Sequence, residues 1–304
     1  MLAFFSFLYL CLQLCLAVGI LRHKTVKRSS GTLRPVSLII AAHNEETNLR
    51  KHLPHWLAQT DVSYEIIIAL DRCTDQSKQI VESFSQKDAR LRYLQIDDTP
   101  DGWAGKKWAL QQAIQSAQYE YLVLTDADCW MDTAYLSSIL GQWRLSDDVL
   151  IGIGQYASDL SLLNRIIQFE TFYTAFQYIG AATLGWPYMA VGRNLAYTKS
   201  FFLNHGGFFS FKERLSGDDD ILVNRFANAK RTQILLEKQT QSMSIPKKSW
   251  KSWANQKFRH VSASPAYQWS SKIGLGLFHG SHSVIHLVFF FSSFCGQTDS
   301  LILA

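Results

Sequence analysis

Several short stretches of this chain place carboxylates or cations where a strand would give way to a loop. In Tyr121–Trp130, YLVLTDADCW, an apolar run ends in Asp126 and Asp128, separated by one alanine. Two carboxylates at the mouth of a buried strand repel each other and lose hydration. A hard divalent cation, Mg2+ or Mn2+, would join them, and such ions usually complete their shell with substrate phosphates. Turn capping is the plainer reading of the same pair. Asp71 follows YEIIIAL, at a strand end where a carboxylate can accept hydrogen bonds from a base or ribose, or simply serve a turn. Asp75 reads as a helix cap.

In GWAGKKWAL, Gly102–Leu110, glycine at 105 leads into a helix with Lys106 in its first turn. A helix N-terminus with a lysine is an anion site, although a solvated surface lysine reads the same way. RLSGDDDILVNRF, Arg214–Phe226, carries Asp218, Asp219 and Asp220 between a glycine and an apolar helix. Acids there suit a helix N-terminus, and one buried carboxylate among them could act as a general base. WANQKFRH, Trp253–His260, puts Gln256 and Arg259 on one helical face. Arg259 could hold phosphate bidentately, or the helix could lie basic-side down on anionic lipid.

The elements that must position these groups alternate. Apolar runs predict strands at Val36–Ala42, Tyr64–Leu70, Leu91–Ile96 and Tyr121–Thr125. Helical patterns fall between them, at Glu45–Gln59 with a possible kink at Pro54, at Asp75–Gln86 capped by Thr74 or Asp75, and at Lys106–Ala117. Continuous apolar strands alternating with helices imply an α/β fold, a mostly parallel sheet covered on both faces. Ligands of such sheets bind beyond the carboxyl ends of the strands. AHNEE (Ala42–Glu46), DRCTD (Asp71–Asp75) and TDAD (Thr125–Asp128) all fall at that edge. No internal repeat or low-complexity linker interrupts the pattern. Leu160–Tyr188 is a long, largely uncharged helical stretch, either a core helix or one lying in a membrane interface.

Composition points to a membrane. Of 304 residues, 47% are hydrophobic and only 18% charged, low for a soluble enzyme. The net charge of +5 is modest, and no nucleic-acid partner is expected. Leu2–Leu21 carries no charge and is long enough to span a bilayer. The basic residues Arg22, Lys24, Lys27 and Arg28 follow it instead of preceding it, which favours an anchor over a cleaved signal and places that flank in the cytosol. Ile273–Cys295 is a weaker second span containing three histidines, again with a basic upstream flank. The expected organisation is an anchor at 1–22, a catalytic domain at 31–245, an amphipathic interfacial region at 246–272 and a second membrane segment at 273–295. Residues from Arg22 to Lys272 then form one cytosolic lobe on the cell membrane. The five cysteines show no paired spacing, so no disulfide frame is expected. The apolar end Leu301–Ala304, without a polar tail, is consistent with truncation.

Taken together and in order, these motifs resemble the family 2 glycosyltransferases of the GT-A fold over roughly Val36–His260. AAHNEE is similar to the family's opening strand end, ALDRCTD to its acidic loop, AGKKWAL to its G-K-x-x-A-L and TDAD to its D-x-D. SGDDDILVNR is similar to T-E-D-x-D-L-x-L-R, VGRNLAY to the G-x-N-x-A strand on the acceptor side, and NQKFRH to Q-x-x-R-W with His260 in place of tryptophan. The loop after Asp71 departs from the family by carrying Arg72 and Cys73.

The resemblance implies an inverting, membrane-associated enzyme. It would move a hexose from a nucleotide sugar, UDP-linked by preference, to a lipid or lipid-linked saccharide acceptor. Ala42, Asn44, Glu45, Asp71, Lys106, Asp126, Gln256 and Arg259 would bind the donor. Asp128 and Asp126 would hold Mg2+ or Mn2+. Asp219 would be the base, with Asp218 beside it and Asp220 the less favoured choice. Alternatives are a processive polysaccharide synthase, a nucleotidyltransferase on a similar sheet, and a non-catalytic membrane scaffold. The histidine at 260 and the scarcity of membrane segments speak against the first. AAHNEE lacks the glycine-rich signature of the second, and retention of the acidic residues opposes the third.

Overall fold

The apolar runs form strands that are buried on both faces. In the computed structural model, which describes residues 2–24 and 33–302 (of 2–3, 288–289 and 291–302 the backbone alone), β1 (Val36–Ala42) and β2 (Tyr64–Asp71) are almost wholly inaccessible. The basic positions 27 and 28, the expected domain start at 31, the cysteine side chain at 295 and the last two residues lie outside the described residues.

The chain begins with α1 (Leu2–Arg22), and then strand and helix alternate as the pattern requires: β1, α2 (Glu46–Leu57), β2, α3 (Ser77–Ser85), β3 (Leu91–Ile96), α4 (Gly105–Ser116) and β4 (Tyr121–Asp126). Shorter elements follow, β5 (Cys129–Met131), α5 (Tyr135–Gln142), β6 (Val149–Ile151) and β7 (Gly154–Tyr156). The second half holds α6 (Leu162–Thr183), β8 (Leu195–Thr198), α7 (Lys199–Asn204), α8 (Asp220–Phe226), β9 (Thr232–Ile234), β10 (Ser242–Ser244), α9 (Trp250–Val261) and α10 (Trp269–Ile302).

Seven strands make the main sheet in the order β3-β2-β1-β4-β8-β6-β9. The first four are mutually parallel, while β8 runs antiparallel to both β4 and β6. A second sheet, β5-β10-β7, stands beside it. Side chains alternate across the strands and so feed two cores. Ile39 and Ile67 join Ala109, Ile114, Tyr178 and Phe202 on one face. Leu38, Ile40, Ile66 and Ile68 join Leu53, Trp56, Val81 and Ile139 on the other. The expected α/β sheet covered on both faces is therefore present, with one antiparallel strand that the pattern of alternation did not announce.

Helix starts differ from expectation by a residue or two. α3 begins at Ser77, because the Asp75 carboxylate accepts the Ser77 N–H at 3.0 Å from outside the helix. Its other oxygen accepts the Glu46 N–H at 3.1 Å, so Asp75 ties the first residues of α2 and α3 together. Thr74 is not a cap: its N–H donates to Asn44 Oδ1 at 2.8 Å. α2 runs through Pro54.

α6 packs on the core along one face, as the first reading of its sequence has it. Ile167, Ala175, Tyr178 and Ile179 face the core, while Phe169 and Phe172 stay exposed. Its partner is α1, and the approach is close: a Cβ on Gly180 would lie 2.8 Å from Leu16 Cβ. Tyr173 accepts from Gln13 Nε2 at 2.8 Å and shares a hydrogen bond with Tyr9 at 2.8 Å. Tyr9 also stacks on His282 of α10 at 4.8 Å. Among the described residues, α1 is the one helix long and apolar enough to cross a membrane, over Phe4–Arg22 with mean hydropathy 2.3. The expected second span, 273–295, lies within helix α10.

One buried charge knits the sheet edge. Glu65 on β2 accepts from Ser37 Oγ at 2.7 Å, the Gln118 N–H at 2.7 Å and Arg92 Nη2 at 2.6 Å. Truncating it takes the acceptor from the Ser37 hydroxyl, the Gln118 N–H and two Arg92 N–H groups. Glu65→Ala is expected to lower unfolding stability by roughly 3–5 kcal/mol, read from urea unfolding; a change below about 1 kcal/mol would mean the cluster is solvated.

Candidate active site

The carboxyl ends of β1, β2 and β4 open into a cleft of about 1480 Å3. Its floor is Ala42, Asp71 and Asp126 from those three strand ends, and Glu45 and Asp128 stand on the loops that follow. The far wall comes from later in the chain: Gly192–Arg193, Asp218–Asp220, and Gln256, Arg259 and His260 on α9. Residues separated by more than a hundred positions thus meet because the parallel strands all end at one edge.

Lys106 sits at the centre. It lies in the first turn of α4, and its Nζ is 2.9 Å from Asp126 Oδ1 and 2.9 Å from Asp218 Oδ2. Burial opposes its charge, but Asp126, Asp218 and Asp219 together hold the ammonium well above the ordinary lysine value. The reciprocal effect falls on Asp218: burial would raise its carboxyl, and Lys106 outweighs this and holds it below the usual range.

The three consecutive aspartates have three different environments. Asp218 faces Lys106. Asp219 caps α8, accepting the Asp220 N–H at 2.7 Å through Oδ1 and the Gly192 N–H at 2.5 Å through Oδ2. Burial, then the charges of Asp218 and Asp220, push its pKa up to about 8. Asp220 turns the other way, accepting from Tyr267 Oη at 2.7 Å and from the Ile221 N–H at 2.7 Å. Burial lifts it to about 6 against the Tyr267 hydrogen bond.

Asp71 is paired within its own loop. Arg72, at φ +48°, folds back to give Nε–Oδ1 2.7 Å and Nη2–Oδ2 3.1 Å. Both groups press on the start of α4, where a Cβ at position 105 would come 2.0 Å from Arg72 Nη2 and 2.6 Å from Asp71 Oδ2. Any side chain at position 105 would therefore displace the Arg72–Asp71 pair.

Asn44 corrects an expectation. It was placed with the donor-binding residues, yet it does not line the cleft. Its backbone is left-handed, at φ +56°, and its side-chain oxygen accepts from the N–H and hydroxyl of Thr74. It shapes the neighbouring loop. Ala42, Glu45, Asp71, Lys106, Asp126, Asp128, Asp218, Asp219, Gln256 and Arg259 all line the cleft.

Asp126 and Asp128 fit a hard divalent cation. Burial and the charge of Asp126 raise the Asp128 carboxyl, and the same two carboxylates add to burial in raising Glu45. The pair is therefore short of positive charge despite Lys106. No cage of three or more His, Cys, Asp or Glu side chains gathers among the described residues. Two carboxylate ligands with substrate phosphates filling the remaining positions is the usual arrangement for Mg2+.

Several cleft residues escaped the sequence reading. Arg193 stacks its guanidinium 4.1 Å from the Tyr156 ring centre and donates to Ser244 Oγ at 3.2 Å. Tyr156 in turn accepts from Gln256 Nε2 at 3.2 Å. Lys257 of α9 pairs with Glu170 of α6. Arg193 stood in VGRNLAY, where its charge within an otherwise uncharged stretch was the available signal. Lys107, the second lysine of GKKW, is buried and donates to the Arg214 and Ser216 carbonyls at 2.5 and 2.6 Å.

Comparison with known proteins identifies the class. Residues 37–213 match the glycosyl transferase family 2 profile, and the chain belongs to that family. It is similar to the mannosyltransferase PcManGT from Pyrobaculum calidifontis, whose structure is a complex with GDP-Man and Mn2+. The TM-score is 0.71 at 14% identity, covering 99% of this chain and 90% of that one. TarS of S. aureus shares the fold more loosely, with a TM-score of 0.51 at 20% identity over 70% of this chain and 37% of that one. Among sequences, it is 28% identical over 104 residues to the glycosyltransferase GlyA of Streptococcus pneumoniae, 34% of this chain and 14% of GlyA. It is 26% identical over 116 residues to a 4,4'-diaponeurosporenoate glycosyltransferase of Staphylococcus aureus, 38% of this chain and 30% of that protein. The matched region spans well under half of these two relatives.

Lys107 generates a test of how the acidic loop is held. Lys107→Met keeps the volume and removes the donor to two partly exposed carbonyls, at roughly 0.5–1.5 kcal/mol each. Reduced stability with faster amide exchange through Leu215–Asp219 is expected by mass spectrometry; unchanged exchange there would show that the loop does not depend on Lys107.

Proposed function

We propose that this chain transfers a hexose, with inversion, from a nucleotide diphospho-sugar to a membrane lipid or lipid-linked saccharide. The observation that carries the proposal is the Lys106 ammonium joining Asp126 to Asp218 beside the half-buried Asp219. Membership of a glycosyltransferase family and a fold neighbour that binds GDP-Man with Mn2+ support it.

The donor would lie along the strand ends, its base near Asp71 and its diphosphate between Lys106 and Arg259. Asp71 is the ground for preferring a uracil base, since its carboxylate can accept a ring N–H once Arg72 swings aside. Gln256 and Arg259 would close over the diphosphate. Asp128 and Asp126 would hold Mg2+ or Mn2+, which when bound supplies Lewis-acid charge neutralisation to the leaving diphosphate.

Asp219 takes the proton from the acceptor hydroxyl. The hydroxyl oxygen forms its bond to the anomeric carbon as the bond from that carbon to the diphosphate oxygen breaks. The electron pair leaves on the nucleoside diphosphate, where Lys106 stabilises the developing charge, an effect of several kcal/mol in a closed site. The acceptor side is Gly192–Arg193 and Tyr156. The anchor α1, with Arg22 and Lys24 after it, would hold the lobe on the cytosolic face of the cell membrane.

Asp219→Asn is expected to retain nucleotide-sugar binding and to lose transfer by about 10²–10⁴-fold; full transfer in that variant would remove Asp219 as base. The pH profile is a second test. A base must be deprotonated to act, and the raised carboxyl keeps its proton below about 8. Thus kcat/KM should climb with pH and level off above about 8. A profile already flat from pH about 5, where an ordinary carboxylate is ionised, would contradict the assignment.

A further inference from the structure

A second cleft, of about 650 Å3, opens between the last turns of α1 and the middle of α6. Ala17, Ile20 and Leu21 form one wall, Phe172, Ala175, Phe176 and Ile179 the other, and Ile153 and Leu236 close the base. Tyr156 and Thr171 line this cleft and the acidic one alike, so the two are neighbours across a shared wall. Its size falls in the range of small-molecule sites, roughly 300–1,000 Å3. Its lining is almost wholly apolar, a surface that water leaves readily.

Three features say what would fill it. First, one wall belongs to the helix whose Phe4–Arg22 stretch has the length and hydropathy of a membrane span, so a bilayer around α1 would bring lipid to this wall. Second, the exposed Leu21, Phe169 and Phe172 lie on the same two helices. Third, the wall shared with the acidic cleft includes Tyr156, whose hydroxyl meets Gln256 and whose ring carries Arg193. An apolar cleft that is walled by a helix with the hydropathy of a membrane span and that adjoins a polar cleft suits one kind of molecule: a lipid with a long chain and a polar end.

We propose that this cleft between α1 and α6 holds the apolar chain of the acceptor, drawn from the bilayer, with its polar end passing Tyr156 and Thr171 toward Asp219. The inference rests on the proposed transfer to a membrane acceptor and specifies its class, a long-chain lipid with a terminal nucleophilic oxygen. α1 is then a wall of the acceptor site as well as an anchor. The close approach at Gly180 brings the two walls together at one end.

The test is photolabelling of the full-length protein in phosphatidylethanolamine–phosphatidylglycerol vesicles with a palmityl alcohol analogue carrying a mid-chain diazirine. Adducts are expected on Tyr156, Phe172 and Phe176, saturable with probe and competed by unlabelled palmityl alcohol. Ala17→Trp, and from the opposite wall Ile153→Trp, should each cut those adducts at least about tenfold, equivalent to about 1.4 kcal/mol of binding. Adducts confined to the outer residues Phe4, Phe7 and Leu14, or non-saturable labelling, would overturn the proposal. So would labelling of the cleft that neither tryptophan reduces. If a tryptophan variant fails to fold, the wild-type map decides alone. Labelling needs no sugar transfer, so a protein inactive toward every nucleotide sugar would undo the proposed function and leave this result standing.

Discussion

A single ammonium group organises the acidic edge of this protein. Lys106 reaches Asp126 at the end of β4 and Asp218 before α8, each at 2.9 Å. Without it, Asp126, Asp128, Asp218 and Asp219 would crowd one cleft with no neutralising partner at its centre. Burial, and after it the neighbouring carboxylates, raise Asp128 and Asp219. Strain of this electrostatic kind is what a site accumulates when its occupant carries the missing charge. A metal–diphosphate pair would relieve it, because the cation answers Asp126 and Asp128 while the phosphates answer Lys106.

The parallel half of the fold was legible because its strands are buried on both faces and read as unbroken apolar runs. β1 to β4 fell at or within a residue of where VSLIIAA, YEIIIAL, LRYLQI and YLVLT placed them. The later half was less legible. β5, β6, β7, β9 and β10 are three residues each, too short to show a period, and β8 reverses direction for reasons of topology that no local pattern encodes. Membership of the family was readable from motif order alone. Individual roles were harder. Asn44 had the residue type of a ligand contact, but its left-handed backbone turns it into the Thr74 loop. Asp71 looked free and is clasped by Arg72, its own sequence neighbour. Lys107 differs from Lys106 by one position, and the helix turns it about 100° away, against the Arg214 and Ser216 carbonyls.

Helices α1 and α6 are part of the same construction. α6 carries core residues on one face and meets α1 on the other, and Glu170 on it pairs with Lys257 of α9. The wall that bears Gln256 and Arg259 is therefore tied to the helix that packs on α1. The acidic cleft and the apolar one beside it share Tyr156. The histidine at 260 lines the same cleft beside Arg259.

The central claim is that the Lys106-centred acidic cluster is an incomplete site for a cation and a diphosphate together. Calorimetric titration of Mn2+ into the purified full-length protein, with and without a nucleoside diphosphate, tests it directly. The account predicts weak Mn2+ binding alone, because Lys106 already occupies Asp126, and at least about tenfold tighter binding with UDP or GDP present. The nucleotide should be tightened by the metal to the same factor. Tight Mn2+ binding without nucleotide, or binding of the two without mutual effect, would contradict it.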